Sequence, residues 1–213
     1  IGMVLCKPYP PDIRLEKEIR SLIEADHHLF VLAERRDGES KREKVSGAIT
    51  DRYVPPTSFR RRLDWLRFQT TFKSGFWNNR IRSFVKRNNI EILHVHDLPL
   101  VGTTIEIAQE FNIPVIADMH ENYPAAKQLW SETIRDPLVW FGDDYRRWQR
   151  YEKRILPLAN KVITVVEEAA HRLQESGTVN SKNMTVVMNV EEITWFDTLA
   201  TTKIIEDDTI RIV

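Results

Sequence analysis

The sequence has little cysteine and no long apolar run. Cys6 is the one cysteine among 213 residues, and no segment approaches the length of a membrane-spanning helix. A single thiol excludes an internal disulfide framework and is typical of a reducing compartment. The first residues also lack the basic segment and small-residue cleavage site of a secretory signal. These absences predict a cytoplasmic protein.

Net charge is absent as well. Lys and Arg together number 31 and Asp and Glu number 31, so the formal charge is zero. Overall charge therefore predicts neither a nucleic acid nor a membrane as partner. The hydrophobic fraction of 42% is enough for a folded core.

The charge is nevertheless unevenly distributed, because residues 58–88 carry nine basic side chains against a single acid, Asp64. Phenylalanine, tryptophan and leucine alternate with these basic residues. One interpretation is a pair of helices, divided near Gly75, that pack on a sheet with their charges in water. The other is an amphipathic surface for anionic lipid or an acidic substrate. No RNA or DNA recognition motif accompanies the segment, so we expect no nucleic acid partner.

Two short apolar runs, 90–97 and 113–121, are separated by an amphipathic segment, 98–111. The runs are rich in Ile and Val and apolar at most positions, which is typical of parallel strands buried on both faces. The segment between them has the apolar spacing of a crossover helix. This βαβ unit predicts an α/β fold with a Rossmann-like, doubly wound, mostly parallel sheet.

Polar residues follow both of these strands. His96 and Asp97 end the first, and Asp118, His120 and Glu121 end the second. In parallel sheets ligands bind beyond the carboxyl ends of the strands, so these side chains should face one cleft. The alternative is that they only cap the helices that follow, since Asp is a favoured N-cap residue.

The rest of the chain also alternates between predicted strands and helices. Asp12 should cap a first helix whose apolar stripe faces the core while Glu18 and its charged neighbours face water. Residues 34–44 read as a solvated loop, and residues 122–136 as an irregular segment. Pro137 is expected to start a long helix that reaches Leu158. Strands are predicted within 1–6, 29–33, 45–54, 161–166 and 184–188, and a strand pattern stops mid-run at 208–213.

Four segments give the chain a resemblance to a known family. They are PDIRLEKE at 11–18, LHVHD at 93–97, DMHE at 118–121 and the stretch from Tyr151-Glu152 through ANKVITV at 159–165. In this order they resemble the amino-terminal half of GT-B glycosyltransferases of the retaining, family 4-like kind. A fifth segment, MNV at 188–190, lies where such sequences commonly read PNGVD. Such enzymes have two Rossmann-like halves, of which the first binds the acceptor and the second binds the nucleotide-sugar. The resemblance implies an acceptor-side domain over 1–190, and a linker with the start of a truncated second domain over 191–213.

The resemblance also implies roles for particular residues. His120 matches the family histidine near the donor sugar, and we expect it to be catalytic. Asp12 and Arg14 match positions that contact the acceptor or a donor phosphate, while Glu121 and Tyr123 would shape the acceptor pocket. The predicted substrate-binding residues are therefore Asp12, Arg14, Glu121 and Tyr123, together with His96 and Asp97 from the strand ends.

The expected partners are a nucleotide-sugar donor, bound mainly by the missing half, and a glycan or lipid-linked acceptor. Residues 58–88 would contact the inner face of the membrane peripherally. No metal or other cofactor is expected, and the fragment alone should be inactive. Three departures from the family pattern stand out: the first loop lacks a Gly-Gly pair, Val166 replaces a serine, and Val190 replaces a glycine.

Two other functions fit the residues. His94 and His96 lie two apart on one strand and point to one face, and Asp118 and His120 could complete the ligand set of a metal-dependent hydrolase. A non-catalytic sugar-binding module is the other alternative, because doubly wound domains host many functions.

Overall fold

The computed structural model describes residues 1–54, 57–133 and 144–190. Within them, eight strands form one sheet in the order β3-β4-β2-β1-β5-β6-β7-β8. All neighbouring pairs are parallel except β3 and β4. The strands are β1 Gly2–Pro8, β2 Phe30–Glu34, β3 Arg42–Val45, β4 Ala48–Tyr53, β5 Leu93–His96, β6 Val115–Met119, β7 Lys161–Thr164 and β8 Met184–Val186. The predicted α/β, mostly parallel, Rossmann-like sheet is confirmed.

Helices connect the parallel strands. They are α1 Ile13–Glu24, α2 Ser58–Thr71, α3 Gly75–Asn88, α4 Leu98–Phe111, α5 Tyr123–Thr133, α6 Tyr145–Ile155 and α7 Glu167–Glu175. None of the described helices is both long and apolar enough to cross a membrane. The prediction of two helices within 58–88 is confirmed, with the division at Ser74, whose side chain caps α3 by accepting from the Trp77 amide.

The sheet has a buried core on each face, because successive side chains of a strand point to opposite sides. Met3 and Leu5 of β1 pack under α1 with Leu15 and Ile19. Val4, between them, belongs to the larger core on the other face, which contains α3, α4 and α6. The sheet grows from β1 in both directions, since β1 pairs with β2 on one side and with β5 on the other. The edge beside β1 and β5 is therefore the topological switch point, where ligands bind in such sheets.

Several predicted boundaries were wrong. Residues 34–44 are not all loop, since β3 starts at Arg42 and forms a hairpin with β4. The two turn residues of that hairpin, Ser46 and Gly47, both have positive φ, as tight hairpin turns require. Residues 123–133 are helical rather than irregular, because Pro124 lies in the first turn, where no backbone N–H is needed.

Some predictions fall on parts of the chain outside the described residues. They are the helix start at Pro137, the strand at 208–213 and the second-domain segment 191–213. Of the predicted long helix, α6 and a short 3₁₀ turn over Leu156–Leu158 are described.

Candidate functional site

Three histidines and two acids form a buried cluster at the carboxyl edge of β5 and β6. His94 and His96 alternate with Val95 and so point to the same face of the sheet. Asp118 pairs in register with His96, and His120 follows two residues later. The fifth member, Glu18, reaches the cluster from α1. The prediction that the polar ends of the two strands face one site is confirmed for His96, Asp118 and His120.

The carboxylate of Asp118 is the centre of the cluster. Its Oδ2 accepts a hydrogen bond from His120 Nε2 at 2.9 Å. The same oxygen lies 3.3 Å from His94 Nε2 and 3.5 Å from His96 Nδ1. The rings of His94 and His96 stack with their centroids 4.6 Å apart. One acid thus orients the rings of both strands.

The environment determines which of these groups are charged. Burial of Asp118 opposes its ionisation, but the hydrogen bond from His120 and the close approach of His94 outweigh this and lower the pKa of Asp118. Burial, with the nearby charge of His94, lowers the pKa of His96 well below its ordinary value. Burial and the negative charge of Asp118 raise the pKa of Glu18 to about 9. Near neutral pH, Asp118 is therefore ionised, while Glu18 is a neutral acid and His96 a neutral imidazole.

Glu18 was not among the predicted site residues, and the prediction that it faces water was wrong. Its side chain is only 23% exposed, because α1 presents this residue to the sheet edge. Glu18 lies three residues after the buried Leu15, so the helical spacing itself placed it beside the apolar stripe. The charged run around it concealed that signal.

The other predicted site residues lie around the cluster with different partners. Asp12 caps α1, since its Oδ1 accepts from the amides of Arg14 and Leu15 at 3.2 and 3.4 Å. Its Oδ2 lies 2.6 Å from Lys7 Nζ. Burial opposes the charge of Asp12, but the hydrogen bond and charge of Lys7, aided by Arg14, lower its pKa. Asp12 therefore has a structural role, and its role in substrate binding stays a prediction.

Asp97 does not cap the helix that follows it. It stands at the N-cap of α4 with a positive φ of 66°, and its side chain makes no capping hydrogen bond. Burial raises its pKa, and the charges of His120, Lys7 and Arg14 act in the opposite direction. The capping alternative is wrong for Asp97, and its carboxyl is left for another partner.

Glu121 and Tyr123 differ in their surroundings. Burial, followed by the charge of Asp97, raises the pKa of Glu121, and Arg14 counteracts this. Glu121 therefore lies within electrostatic reach of Arg14, Asp97 and His120. Tyr123 instead packs its ring against Trp148, with centroids 4.7 Å apart.

A cavity of about 210 Å³ lies at the same edge of the sheet, beyond β1, β2 and β4. This cavity was not predicted from the sequence, because its lining comes from strand ends and helices that are distant in the chain. Five of the twelve lining residues are aromatic and four of the others are charged or hydroxyl-bearing, a combination found in many small-molecule sites. It comprises Cys6, Glu34, Tyr53, Arg61, Asp64, Trp65, Phe68, Ser74, Phe76, Trp77, Pro99 and Leu100.

The cluster could also hold a cation. Glu18, His96, Asp118 and His120 each offer one ligand atom, and these atoms all lie within 4.8 Å of one another. A nitrogen and oxygen set of this kind suits Zn²⁺ and similar ions. Four buried atoms of these residues have no hydrogen-bond partner in the described part of the chain: Glu18 Oε2, His96 Nε2, Asp118 Oδ1 and His120 Nδ1. These four atoms could therefore form hydrogen bonds with a bound ligand or coordinate a cation.

Solved structures with a similar fold include glycosyltransferases. Sucrose-phosphate synthase from Thermosynechococcus elongatus matches 88% of this chain and 47% of its own, at 13% identity and a TM-score of 0.59. A glycosyltransferase from Rickettsia africae matches 94% of this chain and 45% of its own, at 13% identity and a TM-score of 0.58. The chain thus spans about half the length of these structures and has the fold of one half of a GT-B glycosyltransferase.

The sequence itself shows the family. Residues 15–190 match the Glycosyltransferase Family 4 profile, and the chain belongs to this family. None of the curated proteins matches it. The resemblance inferred from these sequence segments is therefore confirmed at the level of family and fold.

Proposed function

We propose that this chain is the acceptor-side half of an enzyme that moves a sugar from a nucleotide-sugar to a glycan or lipid-linked acceptor. Family membership supports the reaction class. Residues 1–190 would form the acceptor-side domain, and 191–213 would lead into a second domain that binds the donor. The observation that carries the proposal is the buried cluster at the switch point, where ligands bind in such sheets.

His120 is the residue that we propose to act on the reacting sugar. Its Nε2 hydrogen is donated to Asp118, which leaves Nδ1 as an acceptor with no partner among the described residues. An acceptor nitrogen suits a sugar hydroxyl, and Asp118 would hold the ring in place as a positioning residue. Sugar transfer needs a stabilised oxocarbenium ion and departing diphosphate, an acceptor hydroxyl held in line, and exclusion of water. Closure against a donor-binding half would supply that exclusion, and no resident metal is needed in this scheme.

The test is substitution of His120 in the complete reading frame that contains this chain. His120→Ala should lower turnover with UDP-, GDP- or ADP-sugars by on the order of 10²-fold or more. His171→Ala is the matched control, because this histidine on α7 is exposed and does not belong to the cluster. Thermal unfolding of both variants would separate lost chemistry from lost structure. Near-normal turnover by a folded His120→Ala protein would contradict the role.

A metal-dependent hydrolase remains a second candidate function, because four ligand atoms converge within the cluster. Titration of the chain with Zn²⁺ or Mn²⁺ in a calorimeter tests it. Tight stoichiometric binding that Asp118→Asn removes, together with metal-dependent hydrolysis, would favour this function. A chain that binds free glycans without any turnover in the complete protein would favour the sugar-binding module.

A further inference from the structure

Helix α2 presents an apolar stripe to solvent. Phe59, Leu63 and Leu66 are 72%, 54% and 53% exposed. Their spacing of four and three residues places them on one side of the helix. The opposite side packs inward, where Trp65 and Phe68 line the cavity. The helix is thus apolar on both sides, and only one of them is covered within the described structure.

Arginines border the exposed stripe. Arg60, Arg62 and Arg67 are all exposed, and none takes part in an ion pair among the described residues. The single acid of the helix, Asp64, is engaged elsewhere: its Oδ1 accepts from the amides of Gly75 and Phe76 at 2.9 and 3.2 Å. Asp64 therefore contributes to the start of α3 rather than neutralising the arginines.

Helix α3, the other half of the basic segment, behaves differently. Its apolar residues Ile81, Phe84 and Val85 are buried against the sheet. Arg82 pairs with Glu110 on α4 at 2.9 Å. The interpretation of helices packed on the sheet is thus confirmed for α3. On α2, no described residue covers the apolar stripe or forms an ion pair with the arginines that border it.

We infer that the stripe of Phe59, Leu63 and Leu66 docks on an anionic lipid surface, with its bordering arginines at the headgroups. An amphipathic helix with a basic border lies in the membrane interface by burying apolar side chains while the arginines meet anionic headgroups. Charge complementarity favours lipid over a second copy of this chain, because face-to-face α2 helices would bring rows of arginine together. This docking does not depend on the proposed reaction. If the proposed reaction holds, docking brings the cavity, whose wall is α2, close to a lipid-linked acceptor.

Vesicle co-sedimentation tests the inference. The chain should bind vesicles of phosphatidylcholine and phosphatidylglycerol but not phosphatidylcholine alone, and more weakly at high salt. Each arginine near an anionic surface contributes about fivefold in binding, so Arg60→Gln/Arg62→Gln/Arg67→Gln should bind roughly 100-fold more weakly. Leu63→Gln/Leu66→Gln should also lose binding. The matched control, Arg150→Gln/Lys153→Gln/Arg154→Gln, removes three exposed charges from α6 and should bind like the parent chain.

Circular dichroism of every variant checks that the fold is retained, and light scattering reports self-association. The inference is overturned if the parent chain does not bind anionic vesicles. It is equally overturned if the α2 variants bind as tightly as the parent or if the α6 control loses as much binding as they do. A parent chain that dimerises through α2 without binding vesicles would show that a second copy covers the stripe. Because no sugar donor is used, failure of this test leaves the reaction assignment untouched.

Discussion

Replacing Glu18 by Gln should stabilise the protein near neutral pH, although the substitution falls in the candidate site. The pKa of Glu18 is raised from 4.5 to about 9 by burial and by the charge of Asp118. The folded protein therefore holds a proton on this acid at pH values where the unfolded chain has released it. A glutamine has nearly the same shape and is neutral at every pH. The folded variant therefore does not lose the free energy that the parent uses in keeping Glu18 protonated.

The size and direction of the effect follow from linkage. Holding a proton at pH 7 on a group with an unfolded pKa of 4.5 costs about 3 kcal/mol. The folded state binds more protons than the unfolded state between pH 4.5 and 9, so the contribution of Glu18 to stability falls as pH rises through that range. The advantage of Glu18→Gln should accordingly be near zero at about pH 4 and reach about 3 kcal/mol near pH 7.

Urea unfolding at several pH values measures this difference directly. Glu24→Gln is the control, because Glu24 is an exposed residue at the end of the same helix and its replacement should change stability by less than about 0.5 kcal/mol. A Glu18→Gln protein that is less stable than the parent at neutral pH would refute the reasoning. So would a stability difference that does not change with pH, since the effect would then not be one of ionisation.

Three further predictions concern the packing around the site. A Cβ at Gly102 would lie 2.5 Å from the Tyr151 hydroxyl, so Gly102→Ala should lower the free energy of unfolding by about 1–3 kcal/mol, and Tyr151→Phe in the same chain should recover part of the loss. Arg172→Met leaves the buried Glu152 carboxylate unpaired and should cost about 3–5 kcal/mol by urea unfolding, more than Glu152→Gln, which leaves Arg172 in contact with water. Cys6 is an exposed residue at the border of the cavity, and partial desolvation by the surrounding protein, with the charge of Asp97, raises the pKa of its thiol to about 11. Its alkylation by iodoacetamide near pH 8 should be roughly 100-fold slower than that of an ordinary thiol, and an equal rate would contradict this.

The sequence predicted the parallel sheet because buried parallel strands leave a strong local signal. The runs around Val95 and Ala117 are short and apolar throughout, and a helical period separates them. The hairpin of β3 and β4 left a weaker signal, because β3 is an exposed edge strand that reads Arg-Glu-Lys-Val. The Ser46-Gly47 turn was the recognisable feature of this hairpin, but it was not used in predicting the structure of this segment.

The candidate site was predictable where its residues belong to strands and unpredictable where it depends on packing. Alternation along β5 placed His94 and His96 on one face, and register added Asp118. The position of Glu18 depends on how α1 rotates against the sheet, and the charged residues on both sides of it conceal this in the sequence. The cavity is similar, because Tyr53, Trp65 and Trp77 meet only after α2 and α3 fold over the strand ends.

The ionisation of Glu18 connects the two candidate functions. A cluster that works as a sugar-binding site needs only one charged acid, Asp118, to orient His120, and a neutral Glu18 avoids repulsion between two buried carboxylates. A bound divalent cation would instead favour an ionised Glu18 as a ligand. Under the metal hypothesis, Glu18→Gln should weaken Zn²⁺ binding and remove any stabilisation that added Zn²⁺ gives the parent chain. Under the glycosyltransferase hypothesis, Zn²⁺ should stabilise neither the parent nor the variant, and Glu18→Gln should be the more stable of the two with or without a chelator. Urea unfolding of Glu18→Gln and the parent, with and without the metal, therefore distinguishes the two functions before any substrate is known.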